Sequence, residues 1–182
     1  MSAYEVLSSE RPFQGAVTTV RVDSLRAPDG SEVQREVVEQ DDAVAVVALT
    51  DEREVVLLRQ YRHPMGGYVL ELPAGKLDKD GEARAEAMHR ELAEETRLQV
   101  GELTELLTFA NSSGWTDEHT TVYLAQGVER ASRPDDFTAE AEEADLEVVR
   151  MPLDEAVAQV EAGEIIDAKT VIGLLLAARR FG

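Results

Sequence analysis

Residues 75–98 carry the sequence GKLDKDGEARAEAMHRELAEETRL, in which a glycine-containing loop runs into a segment of strong helix formers. Residues 82 to about 96 include neither glycine nor proline, so we predict a helix there. At about 100° per residue, Glu91 and Glu95 lie roughly 40° apart on the surface of this helix, and Glu94 lies about 60° from Glu91 on its other side. Several carboxylates therefore share one end of one helix.

This acidic cluster calls for a chemical explanation. Glutamates four residues apart on a helix repel each other, so helix stability alone does not account for Glu91 and Glu95. Magnesium takes oxygen ligands and is typically held by one or two carboxylates together with substrate phosphates. Arg90, beside Glu91 and one turn before Glu94, can orient a carboxylate. The pattern predicts a magnesium site, although a solvated acidic helix face explains the same residues equally well.

The composition restricts the possible partners. The chain has 37 acidic residues against 18 lysines and arginines, which gives a net charge of -19. Such an excess disfavours binding to nucleic acids or anionic membranes. A polyanion that handles an anionic substrate must also supply positive charge locally, from metal ions or a few placed arginines. The absence of cysteine excludes disulfides, thiolate zinc sites and cysteine nucleophiles.

The pattern of apolar residues predicts two parts. Residues 1–40 contain β-type runs at 17–22 and 33–38 around a turn, which indicates a small antiparallel sheet. Residues 41–182 form the main domain, in which strands flank one central helix and two helices follow, so we predict an α+β fold or a three-layer α/β/α sandwich. The first 13 residues lack a basic start followed by an apolar stretch, which favours a cytoplasmic protein. The predicted strands of the main domain are 43–49, 55–58, 68–72, 103–109, 120–125 and 146–151, and its last helices are 153–162 and 168–180.

The acidic helix resembles the Nudix box: glycine, five residues, Glu, seven residues, then Arg-Glu-apolar-any-Glu-Glu-any-Gly-apolar. The chain departs from this pattern in two places. Six residues rather than five separate Gly75 from Glu82, which only lengthens the loop, and Arg97 stands at the glycine position. Glycine at a helix end often takes a positive φ, which costs other residues roughly 1 kcal/mol. Neither departure removes a metal ligand.

The resemblance extends along nearly the whole chain. Residues 35–39, 71–75 and 113–118 are similar to the bacterial ADP-ribose pyrophosphatase branch of the family. That branch implies a Nudix-type α/β/α sandwich and a homodimer in which the N-terminal sheet is exchanged or packs across the interface. It also implies hydrolysis of ADP-ribose to AMP and ribose 5-phosphate with magnesium as cofactor, and manganese is the alternative cation.

The same resemblance assigns roles to residues. The metal ligands would be Glu91, Glu95 and the carbonyl of Ala74, with Glu94 close by and Glu82 and Arg90 in support. On the loop after the box, Glu143 is the preferred catalytic base and Glu142 a close second, unless both face solvent.

The substrate would be bound outside the box. Arg59 and Arg62 follow a central strand and can reach the phosphates or the terminal ribose, although surface salt bridges are an equal explanation. Arg35 and Glu36 would lie against the adenine held by the partner subunit. Trp115 either contacts substrate or anchors the dimer interface.

Three alternatives stay open at this point. The chain can be a Nudix hydrolase for another nucleotide sugar or dinucleotide, such as GDP-mannose or NADH, because the box encodes diphosphate chemistry and not the base. It can be a catalytically silent Nudix domain that binds a nucleotide as a sensor. An acidic interaction module or calcium-binding module fits the charge but leaves the Arg90-Glu91 pattern unexplained.

Overall fold

The computed structural model describes residues 4–79, 81–132 and 145–181. The chain forms two compact units. The first comprises residues 1–42 together with 110–119, and the second comprises residues 43–109 together with 120–182. None of the described helices is long and apolar enough to cross a membrane.

The first unit is built on a three-stranded antiparallel sheet in the order β1-β2-β3. The segment 110–119 attaches to its last strand, because the amide of Val38 donates to the carbonyl of Trp115 at 2.7 Å and the hydroxyl of Thr116 donates to the carbonyl of Val38 at 2.8 Å. The predicted small antiparallel sheet is confirmed, with one strand more than the two β-type runs indicated. The strands are β1 (Glu5–Gln14), β2 (Thr19–Arg26) and β3 (Glu32–Glu39).

The second unit is organised around a mixed sheet in the order β12-β5-β4-β10-β9, with β6 alongside β5 and β7 alongside β4. Strands β4 and β10 run parallel at its centre, and β5 runs antiparallel to β4. The strands are β4 (Ala43–Leu49), β5 (Glu54–Arg62), β6 (Gly67–Glu71), β7 (Ala74–Lys76), β9 (Thr104–Ala110), β10 (His119–Gln126) and β12 (Glu147–Pro152), and a separate short pair is β8 (Leu98–Gln99) with β11 (Glu129–Arg130).

The central strands are apolar on both faces because helices cover both faces. Along β4, Val47 belongs to one core cluster and Val46 to the other, as strand alternation requires. The first cluster includes residues of α2 (Leu153–Glu161) and α3 (Ala168–Phe181), and the second includes residues of α1 (Arg84–Thr96). The predicted α+β fold with three layers is therefore confirmed.

The structure differs from the sequence prediction in two details that matter for the site. Helix α1 begins at Arg84 rather than Glu82, so Glu82 lies in the preceding loop. Residues 74–76, predicted as loop, form the short strand β7, which pairs with β4 so that Gly75 lies opposite Val44. A three-residue strand carries too little alternation to be recognised in a sequence.

Helix α1 ends at Arg97, whose backbone is left-handed with φ 56° and ψ 37°. Its amide donates to the carbonyl of Ala93 at 3.0 Å, which closes the last turn. The residue that replaces the family glycine thus keeps the glycine conformation and carries the strain that a Cβ brings there.

Arg97→Gly should therefore raise the free energy of unfolding by about 1 kcal/mol, because glycine adopts this conformation without the steric cost. Urea unfolding followed by circular dichroism measures the change. Arg97→Ala is the matched control, since it removes the guanidinium but keeps the Cβ, and it should give no comparable gain. Equal stabilisation by both variants would show that the side chain, and not the backbone conformation, is unfavourable.

Candidate active site

The carboxylate of Glu91 lies directly against the backbone of β7. A Cβ added at Gly75 would lie 2.0 Å from the carboxylate carbon of Glu91, so a side chain there would force this carboxylate to move. The next residue back, Ala74, donates its amide to an oxygen of Glu95 at 3.1 Å. Pairing of β7 with β4 holds this backbone in place. The Ala74-Gly75 segment is thus bound to two glutamates of α1 that lie one helical turn apart.

Arg90 gathers the neighbouring carboxylates. Its Nε and Nη2 donate to the two oxygens of Glu82, each at 2.9 Å, in a bidentate pair. Its Nη1 donates to Glu91 at 2.6 Å and to Glu94 at 3.2 Å. Hydrogen bonding to Glu82, with the charges of Glu91 and Glu94, raises the pKa of Arg90, and the bond from Arg90 lowers the pKa of Glu82. One guanidinium therefore orients three carboxylates at the start of the acidic cluster.

The surroundings of Glu91 and Glu95 destabilise the ionised forms of these two side chains. Burial raises the pKa of Glu91 to about 7, with a further contribution from the charge of Glu94, even though Arg90 acts in the opposite direction. Burial and the charge of Glu91 raise the pKa of Glu95 well above its usual range, against the hydrogen bond from Ala74 and the charges of Lys169 and Arg62. A bound cation would stabilise the ionised form of both buried carboxylates.

The donor set fits a hard divalent cation. Glu91 and Glu95 offer carboxylate oxygens beside the backbone of Ala74, and magnesium needs few protein ligands because it keeps waters and takes substrate phosphates. Among the residues that the structure describes, no three acidic or histidine side chains already converge as ligands of a single ion. A site of two carboxylates and a carbonyl does not require such a trio.

Positive charge also collects near Glu95, since burial raises the pKa of this residue and the charges of Lys169 and Arg62 lower it in part. Arg62 Nε and Nη2 donate to the two oxygens of Glu71 at 2.7 and 2.9 Å, and Lys169 also bonds to Glu71. The carboxylate of Glu71 is only 4% exposed. Burial acts to raise its pKa, but the hydrogen bond from Arg62 and the charge of Lys169 outweigh burial, so the pKa of Glu71 is lowered. We call Arg62, Glu71 and Lys169 the ion triad.

Because the chain is strongly acidic, binding of an anionic substrate requires local positive charge. The ion triad supplies part of this charge. Arg62 was predicted to follow a central strand and is instead the last residue of that strand, β5, whereas Lys169 was missed. The residue lies 98 positions from Glu71 along the chain, at the start of α3, where a lysine followed by an apolar helix gives no sign of its partner. Only the packing of α3 brings the two together.

The predicted base-binding residues lie in the first unit, around a cavity of about 530 Å³. Trp115, whose side chain is exposed, lines this cavity together with Arg35 and Glu36 of β3. A flat aromatic surface beside a donor and an acceptor suits a nucleobase. The cavity is lined by Val20, Gln34, Arg35, Glu36, Val38, Gly114 and Trp115.

The remaining predicted residues lie elsewhere. Arg59 stacks over the ring of Tyr68, 3.9 Å from its centroid, and lies 3.7 Å from Glu147, so its observed partners belong to the strand surface. Glu142 and Glu143, the candidates for the base, lie outside the described residues. The roles of all these residues stay predictions.

A comparison with known families supports the same interpretation. The NUDIX domain matches residues 39–172, which span most of the chain and include the acidic helix. The chain belongs to the Nudix family. The predicted family is thereby confirmed, and the two departures from the Nudix box do not place the chain outside it.

Two relatives of this Nudix protein match over nearly its full length. The ADP-ribose pyrophosphatase of Mycobacterium tuberculosis (strain ATCC 25618 / H37Rv) is 40% identical over 94% of the chain and 82% of the relative. The methanol dehydrogenase activator of Bacillus methanolicus is 35% identical over 93% of the chain and 90% of the relative. A solved structure described as an ADP compounds hydrolase superposes with a TM-score of 0.84 at 24% identity, over 100% of this chain and 95% of that one, and shows the fold.

The raised pKa of Glu91 predicts that the metal-free protein becomes less stable to unfolding as the pH rises. Its folded-state pKa of about 7 lies above the ordinary 4.5, so the stability that protonation provides is complete below pH 4.5 and is lost as the pH rises through 7. Glu91→Gln should therefore gain stability relative to the unmodified protein between pH 5 and pH 8, by roughly 2 to 3 kcal/mol at about 1.4 kcal/mol per pKa unit.

Urea unfolding in chelator at several pH values measures this difference. Saturating magnesium is the control, because it should stabilise the unmodified protein at pH 8 and have less effect on Glu91→Gln. A difference between the two proteins that does not change from pH 5 to pH 8 would contradict the assignment.

Proposed function

We propose that this Nudix hydrolase cuts the pyrophosphate of ADP-ribose in a magnesium-dependent reaction that releases AMP and ribose 5-phosphate. The observation that carries the proposal is the contact of the Ala74-Gly75 backbone with Glu91 and Glu95, since this places a carbonyl-bearing strand and two carboxylates together. The name of the M. tuberculosis relative supports the substrate. The cavity beside Trp115 supports a nucleotide with a flat base.

Different residues of the chain would hold the cation and position its ligands. Glu91, Glu95 and the carbonyl of Ala74 would hold the cation, and Arg90, which donates to Glu91 and Glu94, would keep these two carboxylates in place. When bound, the cation supplies neutralisation of the diphosphate and activation of the attacking water.

Further residues would bind the phosphate oxygens and accept the proton of the attacking water. Arg62, whose charge acts on Glu95, would bind the phosphate oxygens. Glu143, or Glu142 in its place, would accept the proton of the attacking water on a carboxylate oxygen while the bond between phosphorus and the bridging oxygen breaks. Arg59 is the weaker candidate for phosphate binding, because Tyr68 and Glu147 already engage its guanidinium.

Several further properties stay predictions. They are a homodimer formed through the N-terminal sheet, manganese as a substitute for magnesium, a cytoplasmic location, and the absence of nucleic-acid and membrane partners. The strand β1, which is exposed at every position, is consistent with a sheet that has a surface free to pair.

Direct assay tests the function. We expect magnesium-dependent release of AMP from ADP-ribose, abolished by chelator and faster than release from GDP-mannose or NADH. Glu95→Gln should lower kcat by about 100-fold or more, because one ligand of the cation loses its charge. Glu161→Gln, an exposed carboxylate at the end of α2, removes the same charge and should have no effect.

The outcomes separate the alternatives. Faster hydrolysis of GDP-mannose or NADH would keep the chemistry and change the substrate. Nucleotide binding by a folded protein with no hydrolysis would favour the silent sensor. Unchanged turnover in Glu95→Gln would remove that residue from the metal site.

Trp115→Ala tests the base-binding cavity. Loss of aromatic stacking costs about 1 to 3 kcal/mol per base, so KM for ADP-ribose should rise about tenfold or more with kcat nearly unchanged. Phe13→Ala is the matched control, because Phe13 is an aromatic of the same unit with comparable exposure outside the cavity. A KM that is the same in both variants would assign Trp115 to another role.

A further inference from the structure

The ion triad places two cations on one buried carboxylate. Glu71 contributes one carboxylate, and Arg62 and Lys169 each contribute one cation. A single well-placed cation satisfies a buried carboxylate, and Arg62 already does so through a bidentate pair at 2.7 and 2.9 Å. Lys169 also pairs with Asp167, so the cluster as a whole is neutral, and the stability of Glu71 alone does not explain why a second cation lies on its carboxylate.

Lys169 shares an acceptor with Arg62. Both Arg62 Nη2 and Lys169 Nζ donate to Oε2 of Glu71. Because the single negative charge of Glu71 interacts with two cations, it neutralises neither of them completely. If Lys169 were removed, the whole charge of Glu71 would be matched to Arg62, and the guanidinium would attract other anions less strongly.

The first turn of α3 fixes Lys169 in this position. Asp167 Oδ1 accepts from Lys169 Nζ at 3.1 Å, and Asp167 Oδ2 accepts from the amide and the hydroxyl of Thr170 at 3.0 and 2.6 Å. Thr170 Oγ1 in turn accepts from the amide of Leu72 at 2.8 Å. The turn is thus bonded both to Glu71 and to the residue after it, and it cannot shift without moving β6.

The two cations lie close to the acidic cluster. Glu95 interacts electrostatically with both Arg62 and Lys169. Arg62 also borders a cavity of about 380 Å³, so its guanidinium is open to a ligand on one side, and it is 38% exposed whereas the carboxylate of Glu71 is 4% exposed. Lys169 and Asp167 line the same cavity, but Lys169 is only 15% exposed, so Arg62 is the more accessible of the two cations to a phosphate.

We propose that Lys169 is a positioning residue for the diphosphate of the substrate: by sharing the Glu71 carboxylate, it leaves the charge of Arg62 available to the phosphate oxygens. Lys169 need not touch the substrate, and it acts through Glu71 and Arg62. The inference rests on the proposed function, because that function places a diphosphate beside Glu95.

Lys169→Met tests the inference, with Arg179→Met as matched control. Arg179 is an exposed cation in the last turn of the same helix, so both variants remove one positive charge from α3. We expect Lys169→Met to weaken binding of ADP-ribose about tenfold in calorimetric titrations with chelator, where no turnover occurs, and to raise KM similarly with kcat within about threefold. Lys169→Arg should restore most of the affinity, and Arg179→Met should bind like the unmodified protein.

A double-mutant cycle tests the route through Glu71. In the Glu71→Gln background the shared charge is gone, so Lys169→Met should change the affinity for ADP-ribose by less than about twofold. An effect as large as in the unmodified background would show that Lys169 acts on the substrate directly, and would overturn the proposed route. If Lys169→Met does not fold, Lys169→Gln enters the same titrations.

A structural role and a failed substrate assignment give different results. If Lys169→Met lowers the melting temperature but binds ADP-ribose as tightly as Arg179→Met does, Lys169 only stabilises the fold and the inference is wrong. If the unmodified protein neither binds nor hydrolyses ADP-ribose, the proposed function fails. Titration with inorganic pyrophosphate then still tests Lys169, because weaker binding by Lys169→Met supports the inference and equal binding overturns it.

Discussion

The close approach of Gly75 to the carboxylate of Glu91 is the contact on which the candidate site depends. Because residue 75 is a glycine, the backbone of β7 comes close to the face of α1 that carries Glu91 and Glu95, and a Cβ there would displace the Glu91 carboxylate. Pairing with β4 fixes β7 in the sheet, and packing of Met88 and Leu92 against the core fixes α1. The position of the acidic cluster is therefore set by the core of the second unit and not by the loop between β7 and α1.

Two groups of ion pairs lie near this contact. Arg90 binds Glu82, Glu91 and Glu94, whereas Arg62 and Lys169 share Glu71 and Lys169 also pairs with Asp167. The first group carries a net negative charge, and the second brings two cations near Glu95. A strongly acidic chain can thus accept an anionic substrate at one place, because the local field there differs from that of the surface as a whole.

The sequence predicts much of this, and the limits of the prediction have physical causes. The apolar runs of β4 and β10 and the uninterrupted helix formers of α1 give strong periodic signals, so these elements were predicted within about two residues. Strand β1 was missed because all ten of its residues are exposed and no alternation marks a buried face. The spacing of Glu91, Glu94 and Glu95 predicts their shared location, because one helix positions all three. Lys169 could not be found in this way, since its partner lies in another element far along the chain.

The bonds from the first turn of α3 also bear on the order in which the molecule can form. Glu71 with Lys169, and Leu72 with Thr170, are each separated by 98 residues along the chain. Contacts of such long range close late in folding, because the entropy of a long loop must be overcome first. A growing polypeptide can build the sheet around β4 and β5 early, but the phosphate side of the site stays incomplete until residue 170 has been synthesised and α3 has docked. Protein synthesis therefore yields a folded framework before it yields a complete substrate site.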